Sequence, residues 1–211
     1  MGEEVKIILK ALFKGVLEIL YPKEGKCIIC GDEADGICIK CRSKIVLCSK
    51  GEGCVGFYKG VLKELILKFK YEKNFNAGDI LVMLLEEKLS LYDEDCYLTY
   101  IPSSKKALKE RGFNQCEYIA NEIGYRNNYK VINTLKKVKG TKVQKTLSRE
   151  ERIENLKGAF EVREERKVEG KKFIIIDDVI TTGATLKEAE EVLKRHGALQ
   201  INTLTIAKTY I

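Results

Sequence analysis

The sequence predicts an α/β fold: a mostly parallel sheet flanked by helices, with a small cysteine-bearing helical subdomain at the N-terminus. Three observations carry this. From about residue 97 onward, short β-branched or apolar runs alternate with segments of helical period, the order that builds a parallel sheet with helices on its faces. One run, Phe173-Ile174-Ile175-Ile176, is continuously apolar, as a strand covered on both faces must be. Six of the eight cysteines fall between Cys27 and Cys54, in Cys27-x-x-Cys30-Gly31 and Cys38-x-x-Cys41 followed by Cys48 and Cys54. The chain is therefore divided into an N-terminal helix and cysteine knuckle, 1–56, and an α/β domain, 57–211.

Residues 3–20 place Val5, Ile8, Leu9, Leu12, Phe13, Val16, Leu17 and Leu20 at helical spacing, and Pro22 stops the pattern. This helix either covers part of the core or offers a face to a partner. Each Cys-x-x-Cys pair can put two thiolates on one tetrahedral ion, and Gly31 permits the tight knuckle. Cys27, Cys30, Cys38 and Cys41 would then close a structural Zn²⁺ site. A redox dithiol and a metal-free knuckle are the alternatives. Cys48 and Cys54 are spare thiols or replacement ligands. Cys96 and Cys116 read as ordinary small buried residues.

Residues 58–71 read as a helix with Val61, Leu62, Leu65, Ile66 and Phe69 on one face, and 76–91 as another. Residues 97–101 (YLTYI) form a strand that stops at Pro102-Ser103-Ser104. A helix over 114–123 follows, then a strand over 129–135 leading into a basic stretch. Residues 147–156 read as a short helix with Ser148 as its N-cap, and 158–162 as a short strand. The central strand is 173–176. A helix over 186–195 ends at Gly197, a C′ residue, and 201–207 is the last strand. His196, the sole histidine, sits at a helix C-terminus, where the dipole favours a cation. It reads as structural, and no second histidine exists to build a nucleophilic triad.

Composition narrows the class. With 45% hydrophobic and 33% charged residues the chain has enough apolar surface to fold and is not a disordered polyelectrolyte. No stretch approaches the roughly 20 apolar residues that span a membrane. The acids at Glu3 and Glu4 are unlike a secretory signal, so a cytoplasmic location is expected. The formal net charge is +7. Lys136, Lys137, Lys139, Lys142, Lys145, Arg149 and Arg152 concentrate it in one stretch. That stretch is a solvated surface, a mobile anion-binding loop or a nucleic-acid contact.

The segment Lys172–Thr185, KFIIIDDVITTGAT, carries the chemistry. A buried strand ends at Asp177 and Asp178 and turns through Thr181, Thr182, Gly183, Ala184 and Thr185 into a helix. Amides at a helix start hold a phosphate, and two adjacent acids can grip a ribose diol. Ligands of open α/β sheets bind outside the carboxyl ends of the strands, where Ser103 and Ser104 also stand. A phosphate, a ribose diol and a leaving group at that separation describe 5-phosphoribosyl-1-pyrophosphate (PRPP).

The segment IIDDVITTGAT resembles the PRPP signature of type I phosphoribosyltransferases. Arg111-Gly112-Phe113-Asn114-Gln115 resembles the RGFNQ motif of the competence protein F (ComF) family. Gln144, Leu147, Ser148, Arg152, Asn155, Gly158, Ala159 and Phe160 resemble that family's "Q…LS…R..N..gAF" segment, and the paired Cys-x-x-Cys knuckle is also a family feature. The resemblance runs from about Cys27 to Ala207. It implies a type I phosphoribosyltransferase-like fold and transfer of a phosphoribosyl group to an acceptor the sequence does not name. Asp177 and Asp178 would meet the ribose hydroxyls, directly or through Mg²⁺ and its waters, and Thr181–Thr185 would hold the 5′-phosphate. Ser103, Ser104 and Lys105 would face the pyrophosphate, with Arg111 on the substrate side or anchoring the loop. Mg²⁺ is expected on the pyrophosphate oxygens. The alternative implied by the family is a non-catalytic PRPP or nucleotide binder acting in DNA uptake, with single-stranded DNA or a competence helicase as partner.

Overall fold

The computed structural model describes residues 25–138 and 158–209, together with Gly15 alone. The expected helix over 3–20, its stop at Pro22, the short helix over 147–156 with Ser148, and the basic positions from Lys139 to Arg152 lie outside the described residues. So do Gln144, Leu147 and Asn155.

Four strands form the main sheet: β1 (Cys54–Phe57), β2 (Tyr97–Tyr100), β5 (Lys172–Ile180) and β6 (Gln200–Lys208). Their order is β1-β6-β5-β2, and every neighbouring pair is parallel. Two further strands, β3 (Leu135–Lys137) and β4 (Phe160–Val162), make a separate antiparallel ribbon. The described helices are α1 (Ile39–Arg42), α2 (Gly60–Tyr71), α3 (Phe75–Glu86), α4 (Lys105–Arg111), α5 (Gln115–Asn127) and α6 (Ala184–Arg195).

Strand β5 explains the two-sided core. Successive residues of a strand point to opposite faces. Ile174 and Ile176 pack with Leu62, Leu65, Phe69, Leu81 and Ile119 from α2, α3 and α5. Phe173 and Ile175 pack with Leu186, Ala189, Val192 and Leu193 of α6, and with Leu135 and Phe160 of the ribbon. All four apolar residues of the run are fully buried, so the continuous apolar reading was the correct one. No helix among the described residues is long and apolar enough to cross a membrane.

Several elements differ from the sequence expectation. Strand β5 does not stop at Ile176. Asp177 pairs with Thr205, Val179 with Ala207 and Ile180 with Lys208, so the two acids lie within the strand. Strand β1 was not anticipated; β6 recruits it to the sheet edge, and it lies across the expected 56/57 boundary. Helix α4 was also missed. It starts at Lys105 under an Ser104 cap, the Ser104 hydroxyl accepting from the Ala107 amide at 3.1 Å. It ends at Gly112, whose φ of +84° suits glycine. The expected strand over 129–135 reduces to a single parallel bridge, Leu98 to Val131. A tight turn, Thr134 N–H to Ile132 O at 3.0 Å, interrupts it before β3 begins. The helix over 76–91 stops at Glu86, and Leu89–Leu91 continue as a 3₁₀ turn.

Asn114 ties the start of α5 to the end of β2. Its Oδ1 accepts from the Cys116 amide at 3.0 Å, and its Nδ2 donates to Ile101 O at 3.1 Å. The side chain is buried. Asn114→Ala removes the cap and strands the Ile101 carbonyl. A loss of about 1–3 kcal/mol of stability is expected in urea unfolding; a loss below about 0.5 kcal/mol would show that the cap is dispensable.

Candidate functional site

The site lies at the carboxyl ends of β2 and β5, which are neighbours in the sheet. Tyr100 pairs with Ile176, and the Ile101 amide donates to Ile176 O at 3.0 Å. This brings the 101–104 loop beside Asp177 and Asp178. Ser103 and Ser104 are half-buried there, while Lys105 is exposed at the first turn of α4. After β5 the chain passes Thr181 and Thr182 and turns at Gly183, φ +76°. Among the described residues nothing stands within 4 Å of where a Cβ on Gly183 would sit, so the backbone there faces open space. An L side chain at that φ would be strained. The first intrahelical bond of α6 runs from the Lys187 amide to Gly183 O. The amides of Ala184, Thr185 and Leu186 thus belong to the unpaired first turn of the helix. The Thr182 hydroxyl reaches the Ala184 amide only at 3.4 Å. Turn, amides and hydroxyls thus lie together in one continuous segment.

The two acids are not equivalent. Asp177 Oδ1 accepts from the Asp178 amide at 2.8 Å and faces the Cys116 thiol at 3.7 Å. Burial, then the neighbouring charge of Asp178, push its carboxyl up to about 7. Asp178 Oδ2 takes two donors: the Lys70 ammonium at 2.5 Å and the Gln115 amide at 2.6 Å. Burial alone would raise Asp178, but Lys70 outweighs it, with help from Gln115, and the carboxyl stays below its ordinary range. Burial would likewise lower Lys70; Asp178 outweighs that and holds the ammonium charged. The Cys116 thiol is driven well above its usual value by burial and by both acids, so it stays an S–H donor.

Three of these residues escaped the sequence reading. Lys70 comes from the last turn of α2 and lies four residues after buried Ile66. A lysine continuing an apolar helical stripe was the available signal. Gln115 was visible only as a letter of the RGFNQ motif, and Cys116 was assigned to packing. The structure gives each letter of that motif a task. Arg111 stacks 5.2 Å over the Tyr71 ring and donates to Gln115 Oε1 at 3.1 Å. Gly112 ends α4, Phe113 joins Phe69 and Phe75 in an aromatic cluster, Asn114 caps α5, and Gln115 reaches Asp178. Arg111 therefore meets the acids through Gln115. Burial lowers the affinity of Lys137, from β3, for a proton, and the charge of Asp177 opposes this.

The cysteine knuckle is a separate centre. The ligand atoms of Cys27, Cys30, Cys38 and Cys41 all lie within 4.8 Å of one another. The Cys38 amide donates to Cys27 Sγ and the Cys41 amide to Cys38 Sγ, each at 3.4 Å, the orientation that stabilises thiolates. Burial would raise Cys27, but the Cys38, Cys30 and Ile29 amides outweigh it and bring the thiol down to about 6. Cys41 is pushed up to about 12 by burial and by the crowded thiols around it. Four convergent sulfurs whose charges repel are a donor set that a metal such as zinc fits. Cys48 and Cys54 are buried and lie outside this cluster.

Residues 112–209 match the phosphoribosyl transferase domain family. Competence protein ComFC of Streptococcus pneumoniae is 25% identical over 173 residues, 80% of this chain and 75% of the relative. Competence protein F of Haemophilus influenzae is 26% identical over 162 residues, 73% and 71% of the two chains. DNA utilization protein YhgH of Escherichia coli O6:H1 is 32% identical over 168 residues, 74% and 70%. The parallel sheet, the acid pair on β5 and the glycine turn into α6 define a protein of the type I phosphoribosyltransferase fold. With the four-cysteine knuckle in front of that domain and relatives of this kind along most of its length, the chain belongs to the ComF family of competence proteins.

The two acids titrate with opposite signs. Asp177 has a folded value near 7 against an ordinary 3.8. Its contribution to stability is present below the ordinary value and is lost as pH rises through about 7. Asp178 is held low, so its contribution is present above the ordinary value and is lost as pH falls through the lowered one. Wild type should therefore lose stability relative to Asp177→Asn between about pH 5 and pH 8, by on the order of 2–4 kcal/mol. Urea titrations of both proteins across that range measure it; a constant difference would mean that Asp177 is ionised throughout.

Proposed function

We propose that this protein binds PRPP at the Asp177–Asp178 site and transfers its phosphoribosyl group to an acceptor. The observation that supports this best is the continuous run from the buried acid pair through the Gly183 turn to the first amides of α6. In the proposal Thr181, Thr182, Gly183, Ala184 and Thr185 hold the 5′-phosphate through amides and hydroxyls. Asp177 and Asp178 face the ribose diol, and the ionised Asp178 favours the cationic ring that forms as pyrophosphate leaves C1. Ser103, Ser104 and Lys105 meet the pyrophosphate from the neighbouring strand end. Arg111 positions Gln115 and, through it, Asp178. Mg²⁺ enters as part of the substrate, on pyrophosphate oxygens and waters. No protein nucleophile is needed; orientation and electrostatics suffice.

Calorimetric titration of PRPP with Mg²⁺ tests the reading. Binding by wild type, weakened at least about 100-fold in Asp177→Asn/Asp178→Asn, supports it. No heat from wild type overturns it. If PRPP binds, pyrophosphate release with candidate acceptors identifies an enzyme. The relatives named for competence and DNA utilization motivate the second reading, a PRPP or nucleotide sensor that handles single-stranded DNA. PRPP binding without turnover, beside salt-sensitive binding of a single-stranded oligonucleotide, would favour it.

We further propose that Cys27, Cys30, Cys38 and Cys41 hold one structural zinc. Such a site has no open position, so the ion stabilises the knuckle and does no chemistry. Metal analysis should find one zinc per chain. Stripping it with a chelator should remove an early thermal transition while α6 and the sheet remain folded; an unchanged melting profile after stripping would sink the assignment.

A further inference from the structure

The acid pair invites a divalent cation. Cys116 Sγ and the carboxylates of Asp177 and Asp178 lie within 4.8 Å of one another, the dimensions of a metal site. The surroundings do not fit one. Asp178 Oδ2 already carries an ammonium at 2.5 Å and an amide donor at 2.6 Å. Mg²⁺ binds oxygen at about 2.1 Å and demands near-octahedral geometry. An ion on that oxygen would stand within about 5 Å of the Lys70 nitrogen, in buried surroundings that screen poorly. Asp177 Oδ1 is engaged by the Asp178 amide and the Cys116 thiol, and that thiol keeps its proton. Arg111 reaches the pair through Gln115, and Lys137, whose ammonium lies over the Phe160 ring, adds a more distant positive charge. One ammonium thus pairs directly with the acids, and two further basic side chains lie behind it.

We propose that Lys70 takes the place of a protein-bound divalent cation, so that the site grips a 5-phosphorylated ribose without metal. The proposal rests on the phosphoribosyl reading above and narrows its ligand class. Lys70 compensates Asp178, Gln115 fixes the orientation of its carboxylate, and the remaining positive charge favours a phosphate dianion in the adjacent cradle. A divalent cation is then needed only by ligands that carry their own pyrophosphate. Compounds lacking it, such as ribose 5-phosphate or a nucleoside monophosphate, are metal-independent ligands. Lys70 is a positioning residue in this scheme, acting through Asp178.

The test uses the full chain with its cysteine knuckle left metal-loaded, and no chelator. Ribose 5-phosphate is titrated calorimetrically with and without Mg²⁺, and Mn²⁺ binding to the ligand-free protein is followed by loss of the free-ion paramagnetic resonance signal. Wild type should bind ribose 5-phosphate within about twofold in the two buffers and should not take up Mn²⁺ at the acid pair. Lys70→Met should lose about tenfold in affinity without Mg²⁺, regain part of it with Mg²⁺, and acquire a Mn²⁺ site. Lys70→Arg, which keeps the charge, should behave as wild type. Should Lys70→Met fail to fold, as judged by circular dichroism, wild type and Lys70→Arg decide alone. Tight Mn²⁺ binding by ligand-free wild type, or a tenfold gain with Mg²⁺, overturns the inference and leaves the PRPP reading standing. If wild type binds ribose 5-phosphate in neither buffer while PRPP binds with Mg²⁺, this inference alone fails. If neither ligand binds, the cradle itself is misread.

Discussion

Two carboxylates in succession, buried at the centre of a sheet, must be compensated wherever they occur. An ionised acid removed from water without a partner costs several kcal/mol, and two adjacent ones also repel. Here the compensation is divided. Asp178 keeps its charge because α2 delivers Lys70 and α5 delivers Gln115 to one of its oxygens. Asp177 meets the same problem by binding its proton more tightly and by taking the Asp178 amide. Helices α2 and α5 are thus held over the strand end by more than their apolar faces. Their register is fixed by the need to place one ammonium and one amide on one oxygen. A shift of either helix by a single residue would turn that group about 100° away.

The RGFNQ motif follows from the same constraint. The turn from α4 into α5 must bring a glutamine to Asp178 while closing a corner of the core. Glycine ends one helix, asparagine starts the next and locks it to the end of β2, and phenylalanine fills the space between Phe69 and Phe75. Arginine then bridges outward, with its guanidinium over Tyr71 and a hydrogen bond to the glutamine. Its Nε, buried and without a partner among the described residues, is the one polar atom in this corner left unsatisfied. Five consecutive residues divide capping, packing and charge placement among them, so each position is held by its own requirement.

Much of this was legible in the chain. The apolar run 173–176 could only be a doubly covered strand, and the small residues after Asp178 could only be a turn into a helix. The paired Cys-x-x-Cys spacing brought four sulfurs together as its geometry requires. What stayed hidden depended on distant partners. Strand β1 is four residues long and exists because β6 offers it an edge. The extension of β5 through both acids depends on the length of β6, since adjacent carboxylates on their own read as the end of a strand. Helix α4 has only seven residues, too few for periodicity to declare itself. Lys70 was hidden for a different reason. A lysine at the end of an amphipathic helix ordinarily reaches solvent, and nothing local distinguishes one that turns inward to an acid 108 residues later.

The two centres of the molecule differ in how far along the chain their parts are drawn from. The cysteine cluster is assembled within fifteen residues, by spacing and by two amide-to-sulfur bonds across its own loops, so short-range sequence specifies it almost completely. The acid site draws on β5, α2, α5 and the end of β2, and no window of the sequence contains it. Its electrostatics therefore depend on tertiary packing, and any movement of α2 relative to the sheet would change the charge seen at Asp178 before it changed any contact in the β5–α6 turn. The turn is local to the β5–α6 segment and the charge state of the acid pair is not. The turn after β5 is thus specified by its own short segment, whereas the charge compensation of the acid pair is specified by the packing of α2 and α5 on the sheet.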